Sequence, residues 1–148
     1  MGSILNESER NAIYSRMESL SASSNRRWGK MSVTEMLEHL RLSAEMAAGD
    51  LPVASANKRI FQVFPLKHLI LYVVPFPKGA PTAPDLYPKD AGSFEDERAA
   101  LRQLMDRIAT GAQTGMGPAH PLFGTLSWRE WGVLIHKHTD HHLKQFGA

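Results

Sequence analysis

Cysteine is absent from the 148 residues. Disulfides and thiolate metal sites are therefore excluded, and a metal held by this chain's side chains must use His, Asp or Glu. Long apolar runs are missing too. The longest, Ile60 to Pro77, is interrupted by Gln62, Lys67 and His68, short of the roughly 20 apolar residues a spanning helix needs, so no membrane segment is expected. Charge of one sign is not concentrated: the net charge is +2, and the nearest basic cluster is Arg26, Arg27 and Lys30. A nucleic-acid partner usually meets a continuous basic face, and none is expected here. The opening residues, MGSILNESER, carry neither the charged start nor the apolar core of a signal peptide, which predicts a cytoplasmic protein. There is no internal repeat and no low-complexity tail.

What remains reads as one helical domain over residues 1–148. Ile13, Met17 and Leu20 recur at i, i+4 and i+7, marking a first amphipathic helix from Glu7 to Leu20. A Ser- and Asn-rich loop ends it, with Trp28 as an apolar plug. Ser32 and Glu35 form a capping box that starts a second helix near Val33. Its apolar stripe, Val33, Met36, Leu37, Leu40, Ala44 and Ala47, runs to about Gly49. A third segment, from about Asn57 to Val74, is expected to be helical, with Pro65 kinking it or splitting it after Phe64. Its stretch HLILYVV also suits a strand, but no second strand-like segment is evident to pair with it. From Pro75 to Pro88 five prolines preclude a regular element; such a crossover serves either as a lid or contact surface or as a stiff connection. Ser93 and Asp96 open another helix with Leu101, Leu104, Met105 and Ile108 on one face and Gly111 as its stop. Ser127 and Glu130 start the last one. Four main helices, with the third segment broken, and no credible sheet predict an all-α four-helix bundle with a long Pro-rich crossover.

The last helix carries the chemistry. Four of the seven histidines lie in it, His136, His138, His141 and His142. Trp131, Ile135, His138, His142 and Gln145 fall on one inward stripe, apolar in its first half and imidazole in its second. Two histidines at i and i+4 point the same way one turn apart, the spacing at which helical pairs chelate zinc and related ions. His138 and His142 meet it; His138 with His141, at i and i+3, is the second choice. His136 points outward. Histidines near a helix C-terminus also arise because a cationic imidazole suits the negative end of the dipole, so the pair has a non-metal explanation as well. The third residue is His39, at the edge of the second helix's apolar stripe. Three uncharged imidazoles in a core are costly unless something satisfies their nitrogens. A divalent ion does so and leaves a coordination position open, the arrangement of catalytic rather than structural sites.

Several further residues have two readings. Glu35, one turn before His39, suits a partner to a ligand or a general base, and its capping role already accounts for it. Gln145 extends the histidine stripe, either to bond a ligand or as plain terminal polarity. His120 reads as a loop-packing residue near the site and His68 as interfacial or core. Trp128 and Trp131 read as core anchors, and Asp140 as solvated.

The segments MSVTEMLEHL (Met31 to Leu40), HPLFGTLSWREW (His120 to Trp131) and HKHTDHHLKQF (His136 to Phe146) resemble the DinB/YfiT-like superfamily, in particular a domain-of-unknown-function branch with a His-Pro-x-Phe-Gly segment before the last helix. The resemblance implies a divalent metal, often nickel or zinc, on His39, His138 and His142, and a frequently dimeric four-helix bundle. In some relatives it implies transferase or isomerase activity with a low-molecular-weight thiol. The resulting expectation is a metal-dependent transferase, isomerase or hydrolase acting on a small electrophile, with a homodimer as its assembly. The alternatives are a metal- or ligand-binding module without turnover, and an inert helical protein.

Overall fold

The computed structural model describes residues 2–56, 59–80, 82–111 and 115–148. The start of the expected third helix at residues 57 and 58, residue 81 of the proline-rich crossover, and residues 112–114 of the following linker lie outside them. The chain runs α1 (Glu7–Glu18), α2 (Val33–Ala48), a 3-10 turn (Arg59–Gln62), α3 (Leu66–Tyr72), a second 3-10 turn (Pro84–Leu86), α4 (Phe94–Gly111), β1 (Met116–His120), β2 (Gly124–Ser127) and α5 (Trp128–Gln145).

The helix starts follow local chemistry. Asn6 caps α1 by accepting from the Glu9 amide. Full capping boxes open α2, through Ser32 and Glu35, and α5, through Ser127 and Glu130. At α4 the Ser93 hydroxyl accepts the Asp96 amide and donates to the Asp96 carboxylate. Gly49 ends α2 at φ 84°, a left-handed conformation that costs glycine little. Pro65 splits the third segment as expected, leaving a 3-10 turn and the seven-residue α3.

The expected four-helix bundle with no sheet is overturned. Five α-helices are present together with a two-stranded antiparallel sheet, in which Met116 pairs with Ser127, Ala119 with Thr125 and His120 with Gly124. The strands escaped sequence reading because Gly117 and Pro118 erase the alternating pattern that marks a strand. Both strands of a two-stranded sheet are edges, where Pro118 costs no ladder bond. Gly117 is required for a different reason: a Cβ there would sit 2.7 Å from the Trp131 ring. The absence of that side chain lets β1 lie on the indole, whose Nε1–H donates to the Pro118 carbonyl at 2.9 Å.

Helix α2 is central, packed on α4, on α5 and on β1. Met36, Leu37, Ala44 and Ala47 of α2 meet Leu101 and Met105 of α4 and Trp131 and Leu143 of α5 in one core, with Leu126 delivered by β2. Burial of each large apolar side chain contributes about 1.5–3 kcal/mol. Among the described residues no helix is long and apolar enough to cross a membrane. Much of the apolar third segment is exposed, with Phe64 at 80% and Val73 at 68%. His68, expected at an interface or in the core, is exposed and packs on Tyr72 with ring centroids 4.6 Å apart.

Candidate metal centre

The 3.6-residue period puts His138 and His142 on the core side of α5, and α2 presents His39 to them. His39 and His142 are buried, at 4% and 7% exposure, and His138 is partly open. The Nε2 atom of His138 lies 3.0 Å from that of His39 and 3.2 Å from that of His142. One ring nitrogen from each of the three falls within 4.8 Å of the others. Metal–imidazole bonds of about 2.0–2.1 Å place neighbouring ligand nitrogens about 3–3.4 Å apart in octahedral or tetrahedral geometry, so both pairs have the spacing of adjacent ligands.

The far side of each buried ring fixes its tautomer. His39 Nδ1 lies 2.8 Å from the Leu86 carbonyl. A carbonyl only accepts, so Nδ1 carries the proton and Nε2 presents a bare lone pair. Gln145 settles His142 the same way. Its amide nitrogen donates to the Trp28 carbonyl at 2.8 Å, which turns its oxygen toward His142 Nδ1 at 2.7 Å. His142 Nδ1 therefore donates, and its Nε2 is bare. Two lone pairs thus face the His138 Nε2, which has at most one proton to share between them. A cation at the meeting point satisfies all three nitrogens, and the outer hydrogen bonds to a carbonyl and an amide are those that orient metal-bound imidazoles.

Electrostatics favour the neutral, ligating form. Burial lowers His39, opposed only by its bond to Leu86. Burial, then the facing rings of His39 and His142, hold His138 well below the ordinary histidine range. Burial and then His39 bring His142 down to about 3. Three imidazoles this close cannot readily share positive charge.

On the open side, Phe76 stands with its ring centroid 5.8 Å from that of His138 and 6.1 Å from that of His141. His141 also meets the edge of Trp28 at 6.0 Å, and Lys78 Nζ lies 4.4 Å from the Trp28 ring. The histidines are thus bordered by an aromatic rim that carries two cations, Lys78 over Trp28 and Lys137, whose Nζ lies 5.0 Å from the Phe76 ring.

The other sequence-marked residues have partners of their own, although His120 is near enough to add to the lowering of His138. Glu35 is exposed, and its carboxylate accepts from the Ser32 amide at 2.6 Å, in its capping role. His136, expected outward, is half-buried against Gly2, where an added Cβ would meet its ring at 2.2 Å. His120 holds the hairpin turn: its Nδ1 accepts from the Leu122 and Phe123 amides at 3.1 and 3.3 Å, and burial lowers its pKa to about 4. Trp131 is a core anchor at 1% exposure. Asp140 pairs with Arg16 and Lys144, each at 2.7 Å. Sequence reasoning missed the Leu86 carbonyl, Phe76 and Glu38. A backbone carbonyl has no signature in sequence, and Phe76 was hidden among prolines.

Searches of curated proteins and of solved structures find no match to the chain. A family profile described as "Protein of unknown function (DUF1569)" matches residues 4–148, a span that includes all three histidines, and the chain belongs to that family.

Proposed function

We propose that this protein holds a divalent metal ion, zinc or nickel, on His39, His138 and His142, and uses it in an enzyme reaction on a small electrophile with water or a low-molecular-weight thiol as nucleophile. The observation that carries this reading is the pair of fixed tautomers: Leu86 and Gln145 leave the Nε2 lone pairs of His39 and His142 aimed at one point beside His138. When bound, such an ion supplies Lewis acidity, enough to bring a coordinated water toward a pKa of about 7 or to deprotonate a thiol. Three neutral ligands leave the ion's charge uncompensated, which favours an anionic partner in the remaining position. The likeness of Met31–Leu40 and His120–Phe146 to DinB/YfiT-like proteins supports the same ligand set.

The chain's own part is positional. His39 and His142 are held by their outer hydrogen bonds. The rings of Phe76, Trp28 and His141 border the site with Lys78 over Trp28 and Lys137 over Phe76, cations suited to an anionic group on an incoming molecule. The test is elemental analysis of tag-free protein purified without nickel resin. About one divalent ion per chain is expected. Metal-free protein whose melting temperature ignores both chelators and His39→Ala overturns the proposal.

A second reading, a metal-binding module without turnover, is favoured by Glu35. Its commitment to the α2 cap removes the one carboxylate expected to act as a base. Metal binding with no turnover of thiol and electrophile mixtures decides for that reading. The exposed Ile60, Val63, Phe64 and Val73 support a homodimer through this segment; a monomeric mass in sedimentation refutes it.

A further inference from the structure

One buried carboxylate has no part in the centre as described. Glu38 precedes His39 on α2 and is 3% exposed. Its Oε1 accepts from two consecutive amides of the crossover, Lys89 at 3.1 Å and Asp90 at 3.2 Å, while Arg41 Nη2 stands 4.0 Å away. Its Oε2 is buried without a hydrogen-bond partner among the described residues. Burying a carboxylate with one oxygen bare is expensive, and a plain loop anchor would need no charge. The same crossover is gripped again three residues on: the Gly92 amide donates to Glu97 Oε1 at 3.0 Å, and Glu97 Oε2 accepts from Arg41 Nε at 2.6 Å. Between Glu38 and His39, two neighbouring side chains of one helix thus bond the same strap, one to its amides at Lys89 and Asp90, the other to its carbonyl at Leu86.

We propose that Glu38 is a positioning residue for the metal centre: by clamping the strap of residues 86–92 it holds the Leu86 carbonyl against His39 Nδ1, and so keeps the His39 Nε2 lone pair turned toward His138 and His142. This rests on the metal-centre reading for its purpose, although the clamp itself is testable without metal. Arg41 and Glu97 brace the clamp from α2 and α4. Glu38 touches none of the three ligand nitrogens and acts on one of them through the backbone of a segment some fifty residues away.

The experiment compares wild type with Glu38→Gln, of the same shape, using Co(II) as the probe. Affinity is read by titration and geometry by the visible Co(II) spectrum. Long-range ¹⁵N–¹H correlation on the metal-free proteins reports which His39 nitrogen carries the proton. The expected result is a ten- to hundredfold weaker affinity in Glu38→Gln, the usual effect of losing an outer partner, with a changed Co(II) spectrum. His39 should be Nδ1-protonated in the wild type and a tautomer mixture in the variant. Unchanged affinity in a folded Glu38→Gln, or a wild-type His39 protonated on Nε2, overturns the proposal. Should Glu38→Gln fail to fold, Glu97→Gln, which frees the same strap at Gly92, is judged by the same readouts. Wild type that binds no Co(II) defeats the metal reading alone, and the tautomer comparison then still decides whether the clamp exists.

Discussion

The two walls of the histidine centre are built on different principles. The α5 wall is mostly side chain: His138, His142 and Gln145 sit at i, i+4 and i+7 of one helix and meet through their own side-chain atoms, with a main-chain carbonyl, that of Trp28, entering only to turn the Gln145 amide. The opposite wall has one side-chain ligand, His39, and its proton is fixed by the main-chain carbonyl of Leu86 from an irregular strap. The first wall is encoded by residue type and period and the second by the path of the chain. Substitution should therefore strike the first directly and reach the second only through whatever holds the strap in place.

The largest expected effect tests whether the two walls form one centre. Alanine at His39, His138 or His142 should each abolish stoichiometric metal binding, with affinity down by more than about a hundredfold. Near-normal affinity for His39→Ala alone, measured by competition with a chromophoric chelator, would show that the α5 wall binds by itself.

Acid is the next lever. His142, near 3, and His120, near 4, have folded pKa values below the ordinary 6.5. Below pH 6.5 the unfolded chain therefore takes up protons that the native state refuses, and stability is lost as pH falls toward the folded values. At pH 5 each should cost about 2 kcal/mol relative to pH 7. Urea midpoints from pH 7.5 to 5 provide the check, and a flat profile would contradict the burial of both rings. A substitution His120→Asn should remove only the hairpin's share of the slope.

Gln145→Leu comes next, weakening metal affinity about tenfold by releasing the His142 tautomer while leaving His39 fixed. Equal disturbance of both rings in imidazole ¹⁵N spectra would mean that the walls are coupled rather than independently braced. The smallest effect belongs to Glu35→Gln, which loosens the α2 cap by about 0.5–1 kcal/mol and should leave metal affinity unchanged. A large loss of affinity there would restore Glu35 to the site.

This contrast also explains what was legible in the sequence. The three capping serines, the Pro65 break and the inward pair on α5 follow from rules acting within a few residues, and each could be read directly. The hairpin was missed because Gly117 answers to Trp131, fourteen residues away, rather than to strand propensity. Counting helices alone then led to a four-helix bundle with no sheet, which the hairpin overturns. His39 was reachable because it borders an apolar stripe. Leu86 was not, since its contribution is a carbonyl that any residue could supply. Glu38 was passed over because a charged residue beside a core stripe ordinarily faces solvent.

Ser127 closes β2 through its pairing with Met116 and is at the same time the N-cap of α5. The hairpin therefore acts as an angular reference for that helix. Each α-helical residue advances the azimuth by about 100°, so the direction in which His138 and His142 emerge is counted off from Ser127. One residue inserted between Glu130 and Trp131 would leave the capping box and the i, i+4 pair intact, yet swing both imidazoles more than a quarter-turn away from His39.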